Sequence, residues 1–289
     1  MKKINVVSLF NGMNTGRQAL ENVGIKVDKY YSSEIKPYAI ELTQYHFPDT
    51  IQVGDVTKWR EWDIDWKNID LILSGSPCQD LSAAGKRAGI NGKKSSLFFT
   101  FVEILNHIKS LNPNVLFLQE NVGSASKLDV GIMSRALGVY PVRFNSSKLT
   151  AQLRDRYYWS NIRTKETMFD LVTDIPHPKD KGIMLKDIIT SGEVDRNKSL
   201  CIIERYIGAV PKSEEAIQKF LINRVEFGSY TVVLDKNLYR PFNKIEMCRL
   251  QGFPDNYCDI LSTEKAGSLL GDGWTLPIIE HIFKFINIK

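Results

Sequence analysis

The chain has 289 residues, 43% hydrophobic and 25% charged, with a formal net charge of +5 and a pI near 8.8. Such proportions suit a globular protein with one large core, or one core and a smaller insert, and exclude a disordered or fibrous chain. No apolar run approaches the length of a membrane span, no signal peptide is legible, and four cysteines without a CxxC pair point away from a disulfide framework and a zinc site; a reducing cytoplasm is the expected compartment.

In chain order, Ile4 to Phe10 predicts a first buried strand, followed by the turn Asn11-Gly12-Met13-Asn14-Thr15-Gly16. A helix from Thr15 to Val23 is expected to end at Gly24. Lys29 to Ser33 predicts a second strand ending in Glu34, and Pro37 to His46 a helix with proline in its first turn. Ile51 to Val53 predicts a third strand that runs into Gly54-Asp55-Val56. A fourth, Ile69 to Leu73, stops at Gly75-Ser76-Pro77 and delivers Cys78. Beyond a capping Ser95 or Ser96, Leu97, Phe98, Phe101, Val102, Leu105 and Ile108 share one helical face. Val115 to Gln119 predicts a fifth strand, delivering Glu120-Asn121-Val122.

Strands alternating with helices at this spacing predict a doubly wound, Rossmann-like parallel α/β sheet. Pro141 to Asn145 and Arg156 to Ile162 are expected to be two closing strands. From 163 to 240 the alternation is lost, apart from a β-like run at Tyr230 to Leu234, and helical patterning returns near Phe242. The expected organisation is a main domain over 1–162, a small insert over 163–240 and a return to the main domain over 241–289, closing on a helix from Pro277 to Ile286.

In an open α/β sheet, ligands bind at the carboxyl ends of the strands. Glu34 and Asp55 stand at two successive strand ends, where a carboxylate can accept from a ribose diol. The first turn lacks the close-packed glycines suited to pyrophosphate, which argues against a nicotinamide dinucleotide and for S-adenosylmethionine. Cys78 reaches the same edge behind a stiff proline, as a reactive thiol would. The stretch from Ala84 to Ser96 carries Lys86, Arg87, Lys93 and Lys94 with no acid, a pattern suited to clamping a polyanion.

Ser76-Pro77-Cys78-Gln79-Asp80-Leu81-Ser82, Glu120-Asn121-Val122 and Gln152-Leu153-Arg154-Asp155-Arg156 follow one another as in the C5-cytosine DNA methyltransferases. Arg249-Leu250-Gln251-Gly252-Phe253-Pro254 and Gly271-Asp272-Gly273-Trp274-Thr275-Leu276-Pro277 complete a set that the chain resembles over nearly its whole length, the insert excepted. Val27 to Tyr30, Ser95 to Phe101, Tyr157-Tyr158-Trp159 and the Gly-Trp-Thr-Leu-Pro run look closer to the catalytic domain of the animal de novo enzymes. Gln79-Asp80 and Gly273-Trp274 depart from the commoner bacterial pattern, and neither change removes a catalytic group.

The resemblance implies transfer of a methyl group from S-adenosylmethionine to C5 of a cytosine flipped out of double-stranded DNA. Cys78 would add to C6 as nucleophile, Glu120 would protonate N3, Arg156 would donate to the ring oxygen and Arg154 would brace the carboxylate. Donor contacts map by the same resemblance to Phe10, Asn11, Gly12, Thr15, Glu34, Asp55, Val56, Pro77 and Trp274. Ser82, Lys86, Arg87, Lys93 and Lys94 map to nucleic-acid contacts on a lid, and the insert to a target-recognition region in the major groove. Neither a metal ion nor a membrane is implied. Competing readings are a tRNA cytosine-5 methyltransferase, a catalytically dead DNA-binding paralogue and, weaker for want of the glycine fingerprint, a dehydrogenase. Recognition sequence and oligomeric state are not legible.

Overall fold

Short aliphatic runs punctuated by glycine and proline form the strands, and apolar residues at helical spacing form the helices that cover them. A computed structural model of the chain describes residues 3–77, 97–211, 213–226, 228 and 230–287. The chain divides into two compact units, one of Met1–Phe144, Asp155–His177 and Ile279–Lys289, the other of Asn145–Arg154 and Pro178–Ile278.

In the first unit the strands are β1 (Ile4–Leu9), β2 (Val27–Ser33), β3 (Ile51–Gln52), β4 (Leu71–Ser74) and β5 (Leu116–Val122), interleaved with α1 (Thr15–Asn22), α2 (Pro37–His46) and α3 (Leu97–Leu111). After α4 (Lys127–Leu137) come β6 (Val142–Asn145), β7 (Asp155–Ser160) and a hairpin of β8 (Thr164–Glu166) and β9 (Leu171–Thr173). The main sheet has the order β3-β2-β1-β4-β5-β7-β6. β1 to β5 are parallel, whereas β7 lies antiparallel to β5. Phe98, Phe101, Ile104, Leu105 and Ile108 of α3 are buried with Val7, Ile72 and Phe117 of the sheet. α1 sits so close to the strands that a side chain at Gly16 would come within 2.5 Å of Leu73 Cδ1.

Two elements of this unit differ from the sequence expectation. β5 runs on through Glu120, Asn121 and Val122, because β7 pairs these residues with Tyr158, Tyr157 and Arg156. α4 was not expected, although Ser126 caps Asp129 N at 3.1 Å and Gly138 ends the helix in the left-handed region. The capping serine expected at Ser95 or Ser96 lies outside the described residues.

The second unit holds α5 (Glu214–Glu226), a hairpin of β10 (Val233–Asp235) and β11 (Leu238–Arg240), α6 (Lys244–Gln251), α7 (Thr263–Asp272) and the start of α8 (Leu276–Phe283). The division departs from boundaries at 163 and 240. The β8–β9 hairpin pairs with Tyr140 through Tyr140 N→Leu171 O at 2.8 Å and Thr173 N→Tyr140 O at 2.9 Å, which ties it to the first unit. Residues 145–154 pair instead with the second, through Ser199 N→Ala151 O at 2.7 Å and Leu153 N→Ser199 O at 2.8 Å. Among the described residues no helix is long and apolar enough to cross a membrane.

The second unit is organised by a buried carboxylate. Glu246 is wholly shielded from solvent. It accepts from Arg240 Nη1 and Nη2 at 2.8 and 2.9 Å, from Thr190 N at 2.8 Å and from Asn243 N at 2.9 Å. Burial alone would raise its pKa, but the hydrogen bonds from Arg240, Thr190 and Asn243 outweigh that and hold it below the ordinary 4.5. A carboxyl depressed in the folded state contributes fully above its ordinary pKa and loses that contribution as pH falls through the lower folded value. Glu246→Ala is expected to cost about 3 kcal/mol in urea unfolding at neutral pH, since Arg240 would lose a buried partner. The gap from wild type should narrow as the wild-type carboxyl protonates in acid; an unchanged midpoint at neutral pH would refute the anchoring role.

Candidate active site

The carboxyl edge of the parallel strands carries most of the expected site. The turn after β1 takes three residues into positive φ: Phe10 at 55°, Gly12 at 57° and Asn14 at 63°. For a bulky residue such as Phe10 this is a strained conformation. The turn is held by Asn11 N→Ser33 O at 3.1 Å and by Gly12 N→Glu34 Oε2 at 2.8 Å. Glu34 thereby ties the turn after β1 to the end of β2, and its Oε1 accepts from Ile35 N and Lys36 N at 2.7 and 2.9 Å. A carboxylate has about four lone-pair sites, so further donors can be accepted. Asn11 is buried, accepting from Tyr30 OH at 3.3 Å and donating to Thr43 Oγ1 at 3.4 Å.

Asp55 is exposed and uses Oδ1 to accept from Thr57 N at 2.9 Å, while Val56 and Thr15 are buried and Phe10 and Pro77 half-buried. Asn14 was not among the expected residues. Its side chain is fully buried at the mouth of α1, and neither Oδ1 nor Nδ2 has a hydrogen-bond partner among the described residues. Only a non-glycine residue in the left-handed region marks it in the structure, and the sequence holds no comparable signal. Nor does α1 have a side-chain cap. Orphaned amide atoms, an uncapped helix start and two carboxylates at neighbouring strand ends fit the amino-acid and ribose parts of S-adenosylmethionine.

Beyond β4, Ser76 is pinned by Gln119 Nε2 at 3.0 Å and Asn121 Nδ2 at 3.4 Å, both from β5. Two residues further on stands Cys78, which lies outside the described residues, as do Ser82, Lys86, Arg87, Lys93 and Lys94.

Glu120, 8% exposed, is paired with Arg156 through Nε and Oε1 at 2.8 Å. The antiparallel register explains the pairing: Arg156 stands opposite Val122, diagonal to Glu120 on the same face. Arg156 Nη1 also donates to Asp155 O at 2.8 Å. Next to this pair, Asp155 forms an ion pair with Arg143, and a side chain at Gly123 would come within 2.7 Å of Asp155 Oδ2. Glycine is required there for the two strands to close.

Arg154 corrects the expectation that it braces the carboxylate; that guanidinium is Arg156's. Arg154 precedes β7, and its buried head is engaged inside the second unit. Nη1 donates to Cys201 Sγ and Ile202 O, both at 3.1 Å, and Nη2 to Gly271 O at 3.0 Å and Gly273 O at 2.7 Å. It is a strut for the backbone that leads into Trp274, which is half-buried in the same unit. Among the described residues no group of three or more His, Cys, Asp or Glu side chains is arranged to hold a metal ion.

Comparison with known proteins agrees with this geometry. Type II methyltransferase M.NgoBV of Neisseria gonorrhoeae is 36% identical over 126 residues, 42% of this chain and 28% of that protein. Orphan methyltransferase M.SPRI of Bacillus phage SPR is 33% identical over 178 residues, 56% of this chain and 38% of that protein. These matches thus span well under half the length of either relative. Type II methyltransferase M1.ScrFI of Lactococcus lactis subsp. cremoris is 26% identical over 97% of this chain and 77% of its own. Among solved structures, the Entamoeba histolytica methyltransferase EhMeth matches with a TM-score of 0.69 at 16% identity, over 99% of this chain and 98% of that one. The S. pombe Dnmt2 methyltransferase matches with a TM-score of 0.65 at 16% identity, over 99% and 100%. At such identities the likeness is one of fold. The model of the C-5 cytosine-specific DNA methylase family matches residues 4–214 and 193–287. Every strand and helix among the described residues falls inside those two spans, and the chain belongs to that family.

Proposed function

We propose that this chain methylates C5 of a flipped-out cytosine in double-stranded DNA, through a covalent bond between Cys78 and C6. The observation that carries the reading is the Glu120–Arg156 pair, a nearly buried acid and a guanidinium at 2.8 Å on adjoining strands beside the Ser76 turn. Cytosine C5 is a weak nucleophile until a thiolate adds at C6, and that addition pushes an electron pair onto the ring. Glu120 donates a proton to N3 and so neutralises it. Arg156 fixes the carboxyl and supplies the cation for the ring oxygen. S-adenosylmethionine, the methyl donor of the family, would supply a sulfonium methyl group to the resulting enamine and leave as S-adenosylhomocysteine. Loss of the C5 proton to a base then expels the Cys78 thiolate, and return of the N3 proton to Glu120 leaves 5-methylcytosine. Glu34, Asp55, Asn14 and the turn after β1 would hold the donor. Arg154 would keep the Gly271–Gly273 backbone in position for Trp274.

Donor binding should stabilise the fold by about 2.7 kcal/mol at a hundred times the dissociation constant. Thermal unfolding with S-adenosylhomocysteine is expected to show an upward shift in wild type and a much smaller one in Glu34→Ala. An equal shift in the two proteins would remove Glu34 from the donor site.

The covalent step has a sharper test. A cytosine with fluorine at C5 should accept the methyl group and then remain bound, because elimination needs a proton at that carbon. The adduct should survive denaturation, require the methyl donor and vanish in Cys78→Ala, whereas Cys201→Ala, Cys248→Ala and Cys258→Ala should trap normally. Duplex DNA and tRNA carrying the fluorinated base are to be offered side by side. Trapping on tRNA alone would overturn the DNA reading and keep the chemistry; methylation with no adduct would overturn the nucleophile.

A further inference from the structure

β10 and β11 pair as Val233 with Arg240, Leu234 with Tyr239 and Asp235 with Leu238, leaving a loop of two residues, Lys236 and Asn237. Both have positive φ, 49° and 66°, as a type I′ turn requires. The usual pair for that turn is Asn-Gly or Asp-Gly, since a side chain at the first position meets steric resistance. Lysine therefore breaks a local rule here. Its side chain and that of Asn237 are exposed, and neither makes a hydrogen bond among the described residues that would account for the choice. Local rules broken without a structural gain tend to mark functional positions.

The base of the hairpin is clamped on both edges. On one side, Leu234 exchanges two backbone bonds with Glu193, at 2.8 and 2.9 Å. Gly192 permits this approach, because a side chain there would meet Leu234 O at 2.5 Å and Val233 Cγ1 at 2.8 Å. On the other side, Gln218 of α5 donates to Tyr239 O at 2.7 Å and accepts from Tyr239 N at 2.9 Å. Below the turn, Asp235 is taken up by Arg240 Nε at 3.2 Å and Ser191 Oγ at 2.5 Å, so its charge is countered. Arg240 is in turn fixed by buried Glu246 at 2.8 Å. What is left to project is a rigid, cationic two-residue tip flanked by Leu234 and Leu238, 40% and 45% exposed.

We infer that the Lys236–Asn237 tip reads base edges in the major groove and sets the recognition sequence; this rests on the proposal that duplex DNA is the substrate. The major groove admits a two-stranded β-ribbon. Lysine donates to O6 and N7 of guanine, asparagine pairs with N6 and N7 of adenine, and leucine packs against the thymine methyl group. Holding the tip on a clamped base removes much of the ordering cost of such contacts.

The test replaces the tip without disturbing the turn. Lys236→Asn with Asn237→Gly installs the pair that suits type I′ best, so the melting temperature should be kept or raised. Wild type and double variant, each as the full chain, are expressed in a methylation-free host, and 5-methylcytosine is mapped at base resolution. The variant is expected to keep its target cytosine and lose discrimination about 10- to 100-fold at one or two neighbouring base pairs. An unchanged site preference overturns the tip as reader while leaving the DNA reading intact. Methylation of tRNA and of no duplex DNA in wild type overturns the DNA reading, and the tip with it.

Discussion

Strand β4 ends at Ser74, opposite Gln119, whereas β5 continues for three more residues with β7 as its hydrogen-bonding neighbour. Those three residues are Glu120, Asn121 and Val122. Support for that overhang comes from β7. The reversed β7 supplies it by hydrogen bonding back along the overhang, and its register sets Arg156 diagonally across from Glu120. Asn121 and Gln119 reach the other way to Ser76, so the turn leaving β4 is fixed against the same overhang. The acid, its cation and the turn that leads into Cys78 all depend on one antiparallel pairing.

Most of the sheet was legible because its strands are short aliphatic runs with glycine or proline punctuation. Pro37 to His46 is a helix from end to end, as its proline start and flanking strand signals predict. Glu34 and Asp55 were legible as strand-end acids for the same reason. The overhang of β5 was not, since the polar run Gln119-Glu120-Asn121 looks like a loop until β7, more than thirty residues later in sequence, covers its open edge. α4 was not expected, although Ser126 caps it, Gly138 stops it and six of its eleven residues are apolar. Asn14 carries no sequence signal at all. Its burial and its lack of a partner are properties of the turn, not of the residue.

The contact expected of Arg154 and made by Arg156 shows where spacing stops being informative. Two residues apart, they would lie on one face if both belonged to a strand. The strand begins at Asp155, and Arg154 stays with the second unit, where its two Nη atoms donate to carbonyls and a thiol rather than to a carboxylate. That unit has little repetitive structure and depends on such side-chain-to-backbone ties. Glu246 gathers Thr190, Arg240 and Asn243, and Gln152 bonds Leu250 O at 3.2 Å and Ile202 N at 2.9 Å. A chain held this way shows no periodicity to the eye, which is why 163–240 reads as a gap in the α/β rhythm.

Across the sheet, one register row runs Ser33, Leu9, Ser74, Gln119 and Trp159 at the carboxyl edge. Among the described residues, Ser74 Oγ and Gln119 Oε1 on that row are buried without hydrogen-bond partners, as are Ser32 Oγ one step behind and both amide atoms of Asn14 in the turn after β1. Each buried polar group left unpaired costs about 1–3 kcal/mol. Part of that cost falls on the edge where donor and base are proposed to meet, and part lies elsewhere, as at Asn5, Trp59 and Trp62. At this edge it leaves polar groups already desolvated. A ligand that satisfies them recovers what the fold gave up, so binding and local stability are coupled at this edge rather than merely adjacent.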